Sequence, residues 1–120
     1  MIRMLSGLPD NVVGFEAVGE VRGSDYKDVL LPALDEALEN QQLIRLLYVL
    51  GAEFKGYSGG AMWQDTKLGF EHLRAWEKMA IVTDTGWVRD GVKAFGWMVP
   101  GAVKTYPTDA LDAATAWVAA

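Results

Sequence analysis

A chain of 120 residues holds one domain and one core, and 51% hydrophobic with 22% charged residues is the balance of a folded protein rather than a disordered one. Its net charge of -5, with signs mixed locally as at Arg74, Glu77 and Lys78, leaves no basic cluster to track a phosphate backbone, so nucleic acid is excluded as a partner. There is no cysteine, which removes disulfides, thiol nucleophiles and thiolate metal sites together.

Ile2 to Leu8 reads as a short strand, stopped by the turn residues Pro9, Asp10 and Asn11. Val12 to Arg22 is a longer strand, with Val13, Phe15, Ala17 and Val21 on one face and Glu16, Glu20 and Arg22 on the other. The two form an antiparallel hairpin at a sheet edge. Ser24 or Asp25 then caps a helix whose apolar stripe runs from Tyr26 through Val29, Leu30, Ala33, Leu34 and Ala37 to Leu38. Pro32 lies inside that stripe and should kink or restart the helix, because it has no donor and clashes with the preceding turn.

Leu43 to Leu50 is apolar on both faces apart from Arg45, the pattern of a strand inside a parallel sheet covered on both sides. Gly51 to Gly60 reads as a loop carrying Phe54, Tyr57 and Ser58, and Gly60 to Trp76 as a second helix burying Trp63, Phe70 and Leu73. Met79 to Thr83 is a further central strand, followed by a third helix over Thr85 to Val99 and the stop signal Pro100-Gly101. Ala102 to Tyr106 is a last strand. Thr108 or Asp109 caps a final helix with Leu111, Ala114 and Val118 inward and Trp117 beside them. The order β-β-α-β-α-β-α-β-α predicts a single α/β domain over residues 1–120, mainly parallel, with right-handed crossovers and four helices.

Candidate functional residues gather in a few places. Asp84 ends a central strand and starts a helix, which is where open α/β sheets bind ligands and also where any helix takes a cap. Phe54, Tyr57, Thr83, Asp84 and Trp87 should meet at that sheet edge as a pocket rim. Ser58, ahead of Gly59-Gly60, reads as an N-cap or as an anion site or phosphate acceptor at a helix N-terminus. The loop has no phosphate-cradling GxxxxGK[ST] spacing. His72, the only histidine, shares a helical stripe with Asp65, but no nucleophile or further ligand is tied to the pair. The chain therefore offers no catalytic set, metal site or cofactor motif. On the third helix Val88, Val92, Phe95 and Val99 face inward while Trp97 falls on the opposite side. Either Gly96 ends the helix early and tucks Trp97 in, or Trp97 and Met98 form a contact surface such as a dimer interface or a lid over an apolar ligand.

Three stretches resemble the SpoIIAA-like (STAS/CRAL-TRIO-type) family of small bacterial proteins: Ala80 to Trp87 (AIVTDTGW), Trp63 and Asp65 in AMWQD, and Lys104-Thr-Tyr106 followed by a helix with Ala116-Trp117. The resemblance spans essentially the whole chain. It implies the α/β fold shared by anti-sigma factor antagonists and lipid-carrying CRAL-TRIO domains, in a family whose members mostly have no assigned function. In the antagonists a phosphorylatable serine sits in an Asp-Ser-Ser-Gly-like loop, whereas this chain reads Gly56-Tyr57-Ser58-Gly59-Gly60 without the acidic neighbour. The expectation that follows is a non-enzymatic module holding a small apolar or lipid-like ligand under the third helix, bounded by Phe54, Tyr57, Ser58, Thr83, Asp84, Trp87 and Phe95. The alternative is a protein–protein regulator of the anti-sigma antagonist type, as a homodimer or with another partner. No charged leader and apolar run opens the chain, and no apolar stretch approaches the roughly 20 residues of a membrane-spanning helix. Together with the missing cysteines, this predicts a soluble cytoplasmic protein.

Overall fold

Strand alternation divides the apolar residues into two sets, and the chain buries each set on its own side of one sheet. The computed structural model describes residues 1–40, 42–59, 76–95 and 101–120, with the side chains of Asn40 and Phe95 outside the description. Its five strands are β1 (Ile2–Met4), β2 (Val13–Val21), β3 (Ile44–Tyr57), β4 (Trp76–Thr83) and β5 (Ala102–Tyr106), in the spatial order β1-β2-β3-β4-β5. The β1–β2 pair is antiparallel and the rest are parallel, so the mainly parallel sheet with an antiparallel edge hairpin is as the periodicity predicts.

One face carries Phe15, Ala17 and Val21 of β2, Ile44, Leu46, Tyr48 and Leu50 of β3, and Ile81 of β4. Residues 23–40 cover it as one helical run, α1, made of an α-helical start (Gly23–Asp25), a π-helical turn (Tyr26–Leu30) and an α-helix (Leu31–Asn40). Helix α2 (Gly86–Phe95) packs Val88 and Val92 against the same face. The other face carries Leu47, Val49, Ala80 and Val82, and is closed by Ala114 and Val118 of α3 (Leu111–Ala119). The two described helices that connect parallel strands lie on one face, as right-handed crossovers between successive neighbours require, and α3, which follows the last strand, closes the other. Each fully buried Leu, Ile, Val or Phe in these layers contributes about 1.5–3 kcal/mol.

Several expectations change, each for a local reason. Strand β1 stops at Met4 rather than Leu8; the Leu5 N–H still donates to Gly14 O at 2.9 Å, and the chain turns beyond it with Gly7 at φ +74°. Pro32 restarts the helix as expected: the α-helix begins at Leu31, directly before it, after the widened π turn. The stretch read as a loop from Gly51 is instead strand through Tyr57, pairing Val21 with Tyr57. Glycines on both strands mark irregularities inside this ladder, with register shifts at Gly19 of β2 (φ +65°) and a positive φ at Gly56 of β3. Trp76, assigned to the second helix, opens β4 and is buried. The final helix begins through a 3-10 turn (Thr108–Ala110) after Pro107, with no side-chain cap from Thr108 or Asp109, and Leu111 is 39% exposed rather than inward. The expected second helix, with Trp63, Asp65, Phe70, His72 and Leu73, lies outside the described residues.

Candidate functional site

The parallel strands β3 and β4 end together, Leu50 beside Thr83, and β3 runs on past that level to Tyr57. The extension lifts Phe54 and Tyr57 above the end of β4, where α2 begins two residues later. Trp87, second residue of α2, meets both rings. Phe54 and Tyr57 are 5.2 Å apart between centroids, Phe54 and Trp87 6.0 Å, and Tyr57 and Trp87 5.9 Å, the last edge-on at 77°. At these separations the three rings touch one another in favourable edge and tilted arrangements, so they form a filled platform and not a cage with a hollow at its centre. Phe54 and Tyr57 are half-buried, while Trp87 remains 55% exposed.

Beneath the platform lies a layer the periodicity did not single out. Tyr57 stacks on Tyr26 at 6.5 Å and 27°, and the hydroxyl of the buried Tyr26 lies 3.3 Å from that of the buried Tyr48. The only hint in the sequence was a tyrosine interrupting an otherwise aliphatic strand. Thr83, also fully buried, falls on this face by alternation with Ile81, and its Oγ1 accepts the Thr85 N–H at 3.0 Å. Ser58 follows Tyr57 directly, half-buried, with its N–H donating to Val21 O at 2.8 Å to continue the β2–β3 ladder.

Asp84 goes the other way. Its two carboxylate oxygens accept from the Thr108 N–H at 3.0 Å and the Thr108 hydroxyl at 2.5 Å, at the turn into α3. It therefore neither joins the aromatic rim nor turns its carboxylate onto the first turn of α2, which closes through the Arg89 N–H to Thr85 O at 3.2 Å. The Thr108 hydroxyl, then the Thr108 N–H, hold the Asp84 carboxyl below its ordinary range; the Arg89 charge adds to this against a small opposing cost of desolvation. Local capping preference assigns Thr108 to its own helix, whereas its hydroxyl bonds a carboxylate 24 residues away in sequence.

Among the described strands the order is sequential, without the reversal at which neighbouring crossovers diverge to opposite faces and open a crevice. Two open grooves, of about 410 and 440 Å³, lie at the other end of the sheet on either side of residues 5–10, one bounded by Val13 and Ala33 and the other by Leu47 and Leu111. Among the described residues no three His, Asp or Glu side chains converge as a metal site, and no helix is long and apolar enough to cross a membrane. Trp97, Met98, His72 and Asp65 lie outside the described residues, as does the side chain of Phe95.

Comparison with known proteins gives a consistent family. The SpoIIAA-like family model matches residues 12–119. The fold is similar to the crystal structure of an uncharacterised protein from Shewanella loihica PV-4, of the DUF3478 family with a SpoIIAA-like fold. That similarity has a TM-score of 0.79 at 27% identity and covers 98% of this chain and 92% of the other. No curated protein matches the chain.

Proposed function

The chain belongs to the SpoIIAA-like family, and on that premise we propose that it is a non-enzymatic, cytoplasmic binding module whose working surface is the Phe54–Tyr57–Trp87 platform. A small apolar or amphiphilic ligand would lie on Trp87 against α2, with Ser58 at its margin, the buried Thr83 supporting the junction beneath, Phe95 farther along the same helix, and Asp84 behind the platform rather than in contact with the ligand. Trp97 and Met98 would extend the contact surface. The observation that carries this reading is the 55% exposure of Trp87 while its ring is already ordered by two aromatic neighbours. The exposed part of an apolar surface held in place toward water stabilises nothing in the free protein and loses little conformational freedom when a ligand covers it. A lone histidine and the absence of cysteine fit a binding role and a reducing compartment.

Titration with dodecanoate below its micellar concentration tests the proposal. The expected result is a saturable change in tryptophan emission, with affinity at least about tenfold weaker in Trp87→Ala, since truncating a central tryptophan commonly removes 1.4 kcal/mol or more. No saturable change, together with no lipid extracted from protein purified from its native host, overturns it.

The second reading, a protein–protein regulator of the anti-sigma antagonist type, is favoured by one observation: Ser58 sits directly beside the platform, so a charge added there would change the surface a partner meets. Pull-downs with Ser58→Ala and Ser58→Asp decide it, and identical partners for both variants and the parent sink the switch.

A further inference from the structure

We propose that Thr108 is a positioning residue for the aromatic platform: by holding Asp84 from the opposite side of the sheet, it sets the first turn of α2 and with it the placement of Trp87 on Phe54 and Tyr57. The functional consequence rests on the platform being the binding surface; the tether itself does not.

The junction between β4 and α2 is two residues long, Asp84 and Thr85, and is gripped from both sides. On the inner side the buried Thr83 hydroxyl takes the Thr85 N–H. On the outer side both Asp84 oxygens are bonded to Thr108. Between these grips and Trp87 lies only Gly86, where even an added Cβ would meet nothing within 4 Å. Gly86 thus offers no side-chain packing of its own, which leaves the two polar grips as the contacts that hold the junction itself. Val88 and Val92 fix how close α2 lies to the sheet, but a helix seated on two valines can still roll and slide at its N-terminal end, where Trp87 is. Thr108 belongs to the 3-10 turn entering α3, which covers the other face. The tether thus runs from the layer without the platform, through the end of β4, into the layer that carries it.

Fluorine NMR on protein labelled with fluorotryptophan reads this directly, with the Trp87 resonance assigned by its loss in Trp87→Phe. In Thr108→Val the Trp87 resonance is expected to shift or broaden while the resonance of Trp117, assigned through Trp117→Phe, keeps its place. Asp84→Ala should repeat the change and Thr108→Ser should restore the parent spectrum. Dodecanoate affinity should fall about fivefold in Thr108→Val, the scale expected when a remote contact supports a site without touching its ligand. An unmoved Trp87 resonance in folded Thr108→Val and Asp84→Ala overturns the tether, as does a Thr108→Ser spectrum that matches Thr108→Val. Loss of fold in both Thr108→Val and Asp84→Ala also overturns it, because the junction would then hold the domain and not the tryptophan. The resonance is read without ligand. Parent protein that binds no dodecanoate therefore removes the binding reading alone, and an unmoved resonance with intact binding removes the tether alone.

Discussion

Trp117 and Trp87 lie at opposite ends of the same sheet and are treated in opposite ways. Trp117 is half-buried, with the Lys78 ammonium 5.1 Å and the Lys104 ammonium 5.0 Å from its ring centroid. Around it the last carbonyls of α3 are satisfied from distant parts of the chain: Lys78 Nζ donates to Trp117 O at 3.1 Å, Arg45 Nη1 to Val118 O at 3.0 Å and Asn11 Nδ2 to Ala119 O at 3.0 Å. Cations at a helix C-terminus meet both the free carbonyls and the negative end of the dipole. At the other end Trp87 rests on two rings and leaves more than half its surface in water. One end is closed by structure; the other keeps an ordered aromatic face open. That difference, more than aromatic content, is what favours the Trp87 end in the proposed binding role.

The comparison predicts where substitutions act on stability and where they act on binding. Gly101 is the most severe site at the closed end, since a Cβ there would lie far inside contact distance of the Trp76 and Glu77 carbonyl oxygens. Gly101→Ala should cost about 3 kcal/mol in urea unfolding, at the upper end for an overpacked position. A loss below about 0.5 kcal/mol would mean that the β4–β5 contact yields easily and that this end is less closed than its geometry implies. Arg45→Ala comes next. It leaves Glu77, 2.5 Å from the guanidinium, and Val118 O without their donor in a partly buried setting, and should cost about 2 kcal/mol. Trp87→Ala should change stability by less than about 1 kcal/mol by the same measurement, because its ring fills no core position, yet remove most dodecanoate affinity. A larger stability loss than for Arg45→Ala would reverse the contrast.

Much of the fold was legible because it rests on period. Alternation in β2, the apolar run of β3 and the stripe of α1 each name a buried face, and buried faces name the layers. What escaped was decided by pairs distant in sequence. Gly51 and Gly56 look like loop residues until Val21 is known to pair with Tyr57; a glycine in a ladder and a glycine in a turn are the same letter. Trp76 suits a helix stripe as well as a strand start, and only its pairing with Ile44 decides. The meeting of Phe54, Tyr57 and Trp87 was foreseeable because all three flank strand ends that neighbour each other in a parallel sheet. Asp84 was placed in the same group by that logic and is drawn out of it by Thr108, a partner that local capping preference assigns to its own helix. Tyr26 and Tyr48 were counted as apolar stripe residues, which hid the hydroxyl pair under the platform.

The smallest expected effect tests the Asp84–Thr108 link itself. Asp84 is exposed, so its protonation should leave global stability nearly untouched, yet the carboxyl is held below its ordinary range first by the Thr108 hydroxyl and next by the Thr108 N–H. The sign follows from the lowered value: the link stabilises the fold above the ordinary aspartate value of about 3.9 and is lost only as pH falls through the lower folded value. A carbon NMR titration of the Asp84 carboxyl should therefore find its midpoint below 3.9 in the parent protein. In Thr108→Val the largest cause disappears while the backbone donor and Arg89 remain, so the midpoint should rise part of the way back and no further. A full return to the ordinary value would mean that the backbone bond depends on the hydroxyl, and that the two contacts make and break as one latch. An unmoved midpoint would mean that the hydroxyl contributes nothing, and the junction beside Trp87 would then be held by the Thr108 N–H and the Thr83 hydroxyl without it.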